Sequence, residues 1–143
     1  MPVIPGTKKV SAAGLSMGER KVARARYDFA TEGGTAGDIA LTRGDKIPSG
    51  ALIAAAFVNV TTVPTSGGAA TIAVKVEGAA DLNAADAISG APWSTTGFKK
   101  LDAVGAANQG VKTTAERTIT ITVGTADLTA GVFDVLVEYF ELA

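Results

Sequence analysis

Arg117-Thr-Ile-Thr-Ile-Thr-Val123 alternates threonine with aliphatic side chains without a break, and Val132-Phe-Asp-Val-Leu-Val-Glu-Tyr-Phe-Glu-Leu142 runs on after a turn bounded by Gly124 and Gly131. Side chains in a strand alternate between faces, so Ile119, Ile121 and Val123 share one face and Thr118, Thr120 and Thr122 the other. β-branched residues suit a pleated, half-buried surface. The pattern predicts a terminal β-hairpin with an apolar inner side, and the rest of the chain reads as strands that cover it. The outer threonine row carries no charge to discourage pairing, so it suits an interface as well as a wet face.

Upstream, Lys21-Val-Ala-Arg-Ala-Arg-Tyr-Asp-Phe-Ala30 predicts a first strand, with Ala23, Ala25, Tyr27 and Phe29 on one face and Arg24, Arg26 and Asp28 on the other. Glycines mark Thr31–Gly37 as a loop. Asp38–Arg43 predicts a short second strand, followed by a connection over residues 44–50. Ala51–Thr62 is the least polar segment. Its flanks, Gly50 and Pro64, favour a strand covered on both faces over a helix. Pro64–Gly68 predicts a hairpin turn returning through Thr71–Glu77, with Ile72, Val74 and Val76 facing in. Asp81–Ile88 suggests a short helix capped by Asp81, and a short helix around Ser11–Val22 is weakly signalled. Seven or eight short strands separated by turn signals define an all-β chain: an antiparallel β-sandwich or jelly-roll-like fold. Residues 1–20, broken by Pro2, Pro5, Gly6, Gly14 and Gly18, read as an extended basic N-terminal arm, and residues 21–143 as the β-sandwich domain.

The 143 residues include no cysteine and no histidine. Disulfides, thiolate nucleophiles and Cys-based zinc sites are thereby excluded. So are the usual general base near neutral pH and the commonest metal ligand. A domain of this size buries roughly 70% of its unfolded surface and needs no covalent staple. The net charge is −1, unevenly placed: residues 1–30 hold six basic side chains against Glu19 and Asp28, and the remainder holds seven basic against twelve acidic. This is a basic arm on a mildly acidic body. The longest apolar run, Ala51–Val58, is far below the roughly 18 residues a membrane helix needs. Met1-Pro-Val-Ile-Pro-Gly6 is too short and broken for a signal sequence. The reading is therefore of a soluble chain with no membrane partner.

No motif assigns a catalytic, cofactor-binding or metal residue. Glu32-Gly-Gly-Thr-Ala-Gly37 is followed by neither Lys-Ser/Thr nor a helical pattern, so it fails both nucleotide templates. Asp81, Asn83 and Asp86 place three oxygen side chains close together, but Ala85 and Asp86 stand where a calcium loop needs an oxygen ligand and then glycine. Asp134, Glu138 and Glu141 are the carboxylates a glycosidase would pair; an edge or oligomer contact explains their strand-face placement more simply. Ser66 and Ser94 have no histidine to act as base. The arm has phosphate-binding cations but no interleaved aromatics, and the acidic body repels a polyanion, so nucleic acid is not an expected partner. Trp93 is the one candidate for a glycan contact, set against the commoner role of a packing anchor beside Pro92 and Phe98.

Several phrases together resemble small structural proteins of tailed bacteriophages, of the capsid decoration or head-fibre kind. They are Tyr27-Asp-Phe-Ala-Thr-Glu-Gly-Gly34, Ile47-Pro-Ser-Gly-Ala51, Thr65-Ser-Gly-Gly-Ala-Ala-Thr71, Lys112-Thr-Thr-Ala-Glu-Arg-Thr-Ile119 and Leu128-Thr-Ala-Gly-Val-Phe-Asp-Val135. The resemblance spans roughly residues 22–142 and rests on turn and strand phrases, so it transfers no site residues. It implies a β-sandwich assembled in the host cytoplasm and carried on the capsid exterior of the virion. It further implies homo-oligomers, a trimer favoured, and the major capsid protein as partner. The resulting expectation is a non-enzymatic decoration (cement) protein that stabilises the shell. Charge asymmetry nominates Lys8, Lys9, Arg20, Lys21, Arg24 and Arg26 as capsid or subunit contacts, with Arg24 and Arg26 the cations expected to meet Asp134 and Glu138 at a subunit contact. The alternatives are a carbohydrate-binding module using Trp93, or a tail or fibre subunit.

Overall fold

A computed structural model describes residues 19–102 and 110–141. Among these described residues, ten strands and one helical turn follow the order β1 (Arg20–Asp28), α1 (Phe29–Glu32), β2 (Gly37–Ala40), β3 (Lys46–Ile47), β4 (Ala51–Ser66), β5 (Thr71–Lys75), β6 (Asn83–Ala87), β7 (Gly97–Lys100), β8 (Arg117–Thr118), β9 (Thr120–Gly124) and β10 (Leu128–Glu141). Two four-stranded antiparallel sheets, β1-β10-β4-β7 and β2-β9-β5-β6, enclose the core, and β3 pairs with β8 in a separate ribbon. The chain is an all-β sandwich.

Inward rows form as the alternation predicts. Ala23, Ala25 and Tyr27 from β1, Phe133, Val135 and Val137 from β10, and Val58 and Val60 from β4 are buried from the first sheet. Ile72 and Val74 from β5 and Ile121 and Val123 from β9 are buried from the second. Apolar area removed from water on both inner faces is the main stabilising term. Tyr27 stacks on Phe133 with ring centroids 5.0 Å apart.

The two expected hairpins are not hairpins. β9 lies in the second sheet and β10 in the first, and β4 and β5 are divided in the same way. Each connection therefore crosses the sandwich as an arch, and its two apolar rows meet across the core. The arches lie together: Leu128 registers with Ser66, whose hydroxyl donates to the Asp127 carbonyl at 2.6 Å. β10 instead pairs with β1 and β4, while β9 pairs with β2 and β5.

Other local expectations change for physical reasons. β4 is covered on one face, since Phe57 and Asn59 on the outer side are only half-buried. It runs through Pro64 to Ser66, so the predicted turn starts later. Pro64 is tolerated because it sits where the β4–β10 register shifts, at an irregularity that spares the ladder its missing N–H. Gly131 opposes it at φ +139°, and a Cβ there would lie 3.0 Å from the Pro64 Cα. The predicted helix over 81–88 is instead the turn into strand β6. Asp81 caps no helix: its carboxylate accepts the backbone N–H groups of Val76, Glu77 and Gly78 at 2.8, 2.9 and 2.7 Å. Those bonds hold the β5–β6 turn closed. Of the weakly signalled helix over 11–22, residues 20–22 belong to β1 and the portion before Glu19 lies outside the described residues.

Candidate interaction surface

The outer face of the β1-β10-β4-β7 sheet gathers most of the described residues that the charge pattern singles out. Register alone builds it. Arg24, Leu136, Phe57 and Lys100 form one cross-strand row, and Arg26, Asp134, Asn59 and Phe98 the next. Val22, Glu138 and Ala55 form a third row, and Arg20, Phe140 and Leu52 a fourth.

The cations of β1 are paired within the chain. Arg24 and Arg26 both reach Asp134, at 3.1 and 3.3 Å. Asp134 is the buried member, its side chain 6% exposed, while the two guanidinium groups remain largely open to water. One carboxylate thus answers two cations. Arg20 lies 3.6 Å from Glu138 and its guanidinium sits 5.1 Å above the Phe140 ring. Lys21 turns to the other side of β1 and binds Glu141 at 2.8 Å. That hydrogen bond and the charge of Glu141 raise the ammonium pKa above its usual value. The meeting of Arg24 and Arg26 with Asp134 is therefore intramolecular, and Glu138 is met by Arg20. The solvent-open pairs Arg20–Glu138 and Lys21–Glu141 contribute little to stability. The effect of the pairs together is to occupy the carboxylates: Asp134, Glu138 and Glu141 each face a cation, an arrangement unlike a glycosidase acid–base pair.

Between these charges the face is apolar. Val22 is 51% and Phe98 62% exposed. Phe98 stacks on Phe57 with centroids 5.1 Å apart. This pair is what sequence reasoning missed. Phe98 reads as a neighbour of Trp93, whereas the alternation of Gly97-Phe-Lys-Lys100 already places Phe98 and Lys100 on one side; only the pairing with β4 shows that side to be the outer one.

Trp93 is fully buried and lies 4.9 Å from Phe133 across the core. A glycan-stacking platform needs an open ring face, and this indole has none. Its Nε1 has no hydrogen-bond partner among the described residues. Lys8 and Lys9, with the arm before Glu19, lie outside the described residues. The opposite sheet presents a polar face. The Thr122 hydroxyl donates to Asp38 at 2.7 Å, and Lys75 donates to the same carboxylate at 2.6 Å. The hydrogen bonds from Lys75 and Thr122 lower the Asp38 pKa. The threonine row is thus flanked by charges from β2 and β5, on a strand that already has neighbours on both sides. Nearby, Arg117 and Thr114 hold Glu77 and depress its pKa to about 2. Among the described residues no cluster of three acidic side chains is arranged to hold a metal ion, and no pocket opens. What the molecule offers is surface.

No family model matches the sequence, and no curated protein matches it. Solved structures do share its fold. A chain in the acidic stable capsid structure of Helicobacter pylori bacteriophage KHP30 aligns with TM-score 0.58 and 15% identity, over 87% of this chain and 89% of that one. A chain of the cyanophage Pam1 capsid asymmetric unit aligns with TM-score 0.54 and 19% identity, over 99% of both. A chain from the capsid of Ralstonia phage GP4 aligns with TM-score 0.58 and 20% identity, over 85% and 84%. At these identities the likeness establishes a common fold.

Proposed function

We propose that this chain is a non-enzymatic structural protein of a bacteriophage virion that binds the exterior of the capsid shell and reinforces it. The observation carrying this reading is the length of the match: the alignment with the Pam1 capsid chain covers 99% of each chain. Chains from two further phage capsids have the same fold. The surface agrees in kind, since the described residues present sheet faces and among them no pocket opens. On this reading the partner is the major capsid protein, the chain assembles as a homo-oligomer, a trimer favoured, and residues 1–20 form a contact arm on the domain over 21–143. Arg20, Lys21, Arg24 and Arg26 each pair with a carboxylate of β10 while staying open to water, and Lys8 and Lys9 are the other cations on this reading.

Co-sedimentation with shells prepared without this protein tests the reading. The full chain should pellet with the shells, and a chain lacking residues 1–18, which keeps β1 intact, should bind more weakly. No association of the full chain overturns the function; full occupancy by the truncated chain overturns the arm's part in it.

A further inference from the structure

Phe98 is an aromatic side chain more than half exposed on a short edge strand, and it does not stand alone. Phe57 backs it, Leu136 lies beside Phe57 in the next strand, and Val22 is exposed on the far edge strand. Exposed apolar patches rimmed by polar groups mark association surfaces. Aromatic side chains in such patches commonly supply most of the binding energy.

The rim identifies the occupant. Arg20, Arg24, Arg26 and Lys100 point outward, against Asp134 and Glu138 on the same face; Asp28, at the end of the β1 row, is turned to accept the Ala30 N–H and cap α1. Cations remain in excess even with Asp28 counted. A self-complementary contact between two copies would set cation against cation. The chain's own residues 1–18 carry Lys8 and Lys9 with no acidic side chain, so they too are electrostatically mismatched. A nucleic acid would bring phosphates against Asp134 and Glu138 of β10, on either side of Leu136. The matching partner is a protein surface with an apolar centre and surplus carboxylates around it.

We infer that the outer face of the β1-β10-β4-β7 sheet, through the apolar side chains that run from Phe98 and Phe57 by way of Leu136 to Val22, is the surface that docks onto an acid-rimmed apolar patch of the capsid shell. This inference rests on the proposed function and assigns it a face. The basic side chains of β1 then act as a rim that selects carboxylates, and the aromatic pair supplies the contact.

The test is a binding isotherm of the full chain on shells prepared without it, comparing wild type, Phe98→Ser and Ala84→Ser. Ala84 is an exposed position on β6, in the opposite sheet. Because Phe98 is exposed in the free chain, Phe98→Ser should fold, as a circular dichroism melt will verify. Phe98→Ser should weaken binding about tenfold or more, and Ala84→Ser should not change it. Raising salt from about 0.05 to 0.5 M should weaken wild-type binding by screening the rim. If wild type binds and Phe98→Ser binds equally well, the assigned face is wrong and the proposed function stands. If wild type does not bind, both fall. Salt-independent binding overturns the acid rim. A change in sedimentation of the free protein on Phe98→Ser assigns the face to contacts between copies and overturns the inference.

Discussion

Replacing Tyr27 by phenylalanine should destabilise the protein at neutral pH and stabilise it in strong base. The ring is fully buried and stacks on Phe133, and the substituted ring would keep that packing. What disappears is the hydroxyl, which donates to the Gly33 carbonyl at 2.6 Å, tying β1 to the loop after α1. Losing a buried hydrogen bond of this kind costs about 1 kcal/mol, and in a chain of this size lowers Tm by about 3 °C. Burial, with Asp28 and Glu32 close by, pushes the Tyr27 phenol up to about 12. An unfolded chain ionises its tyrosines near pH 10. Between those values the unfolded state has released a proton that the folded state retains, so stability falls as pH rises. The loss is absent below about pH 10 and reaches about 2 kcal/mol near pH 11.5. The variant has no such group. Its deficit of about 1 kcal/mol at pH 7 should therefore become an advantage of about 1 kcal/mol near pH 11.5. Urea unfolding of both proteins at the two pH values, followed by circular dichroism, measures the difference directly, since every contribution common to the two proteins cancels. Parallel stability curves across that range would refute the account of a buried, hydrogen-bonded phenol.

Two further outcomes follow from backbone approach and from charge pairing. A Cβ at Gly44 would stand 2.5 Å from the Arg24 carbonyl oxygen and 2.6 Å from the Ala25 Cα, both main-chain atoms that cannot swing aside, so Gly44→Ala should cost about 2–3 kcal/mol in urea unfolding. Gly90→Ala, whose Cβ meets nothing closer than 3.8 Å, should be near neutral, and equal effects would discard the steric argument. Hydrogen bonds from Arg117 and Thr114 hold the folded Glu77 carboxyl at about 2, below its ordinary 4.5. Its stabilising contribution is therefore complete above about pH 4.5 and lost as the pH falls towards 2. Glu77→Gln should flatten the acid limb of a Tm-against-pH profile while leaving the shape above pH 6 unchanged; an acid limb as steep as wild type would show that the pairing does not govern it.

Face assignment was legible in the residues, and partner assignment was not. Ile119, Ile121 and Val123, Ile72, Val74 and Val76, and Ala23, Ala25 and Tyr27 all point inward as alternation requires. Alternation is a property of one strand, and it is the same whether that strand bonds to its sequence neighbour or faces it across a core. Hence two arches resembled two hairpins. The interaction surface divided along the same line. The cations of β1 and the carboxylates of β10 were visible, and so was their attraction. That they meet within one chain required the β1–β10 register. In the sequence Phe98 was only a neighbour of Trp93; pairing with β4 leaves Phe98 in water while Trp93 is buried.

The sequence by itself thus determined an all-β chain, the inward rows, and the exclusion of cysteine and histidine chemistry, because side-chain type and period act locally. The tertiary structure alone decided which strands bond, which charges neutralise each other and which aromatics stay in water. Those outcomes depend on residues far apart in the chain, such as Arg24 and Asp134 or Phe57 and Phe98, and only the closed sandwich brings them within reach.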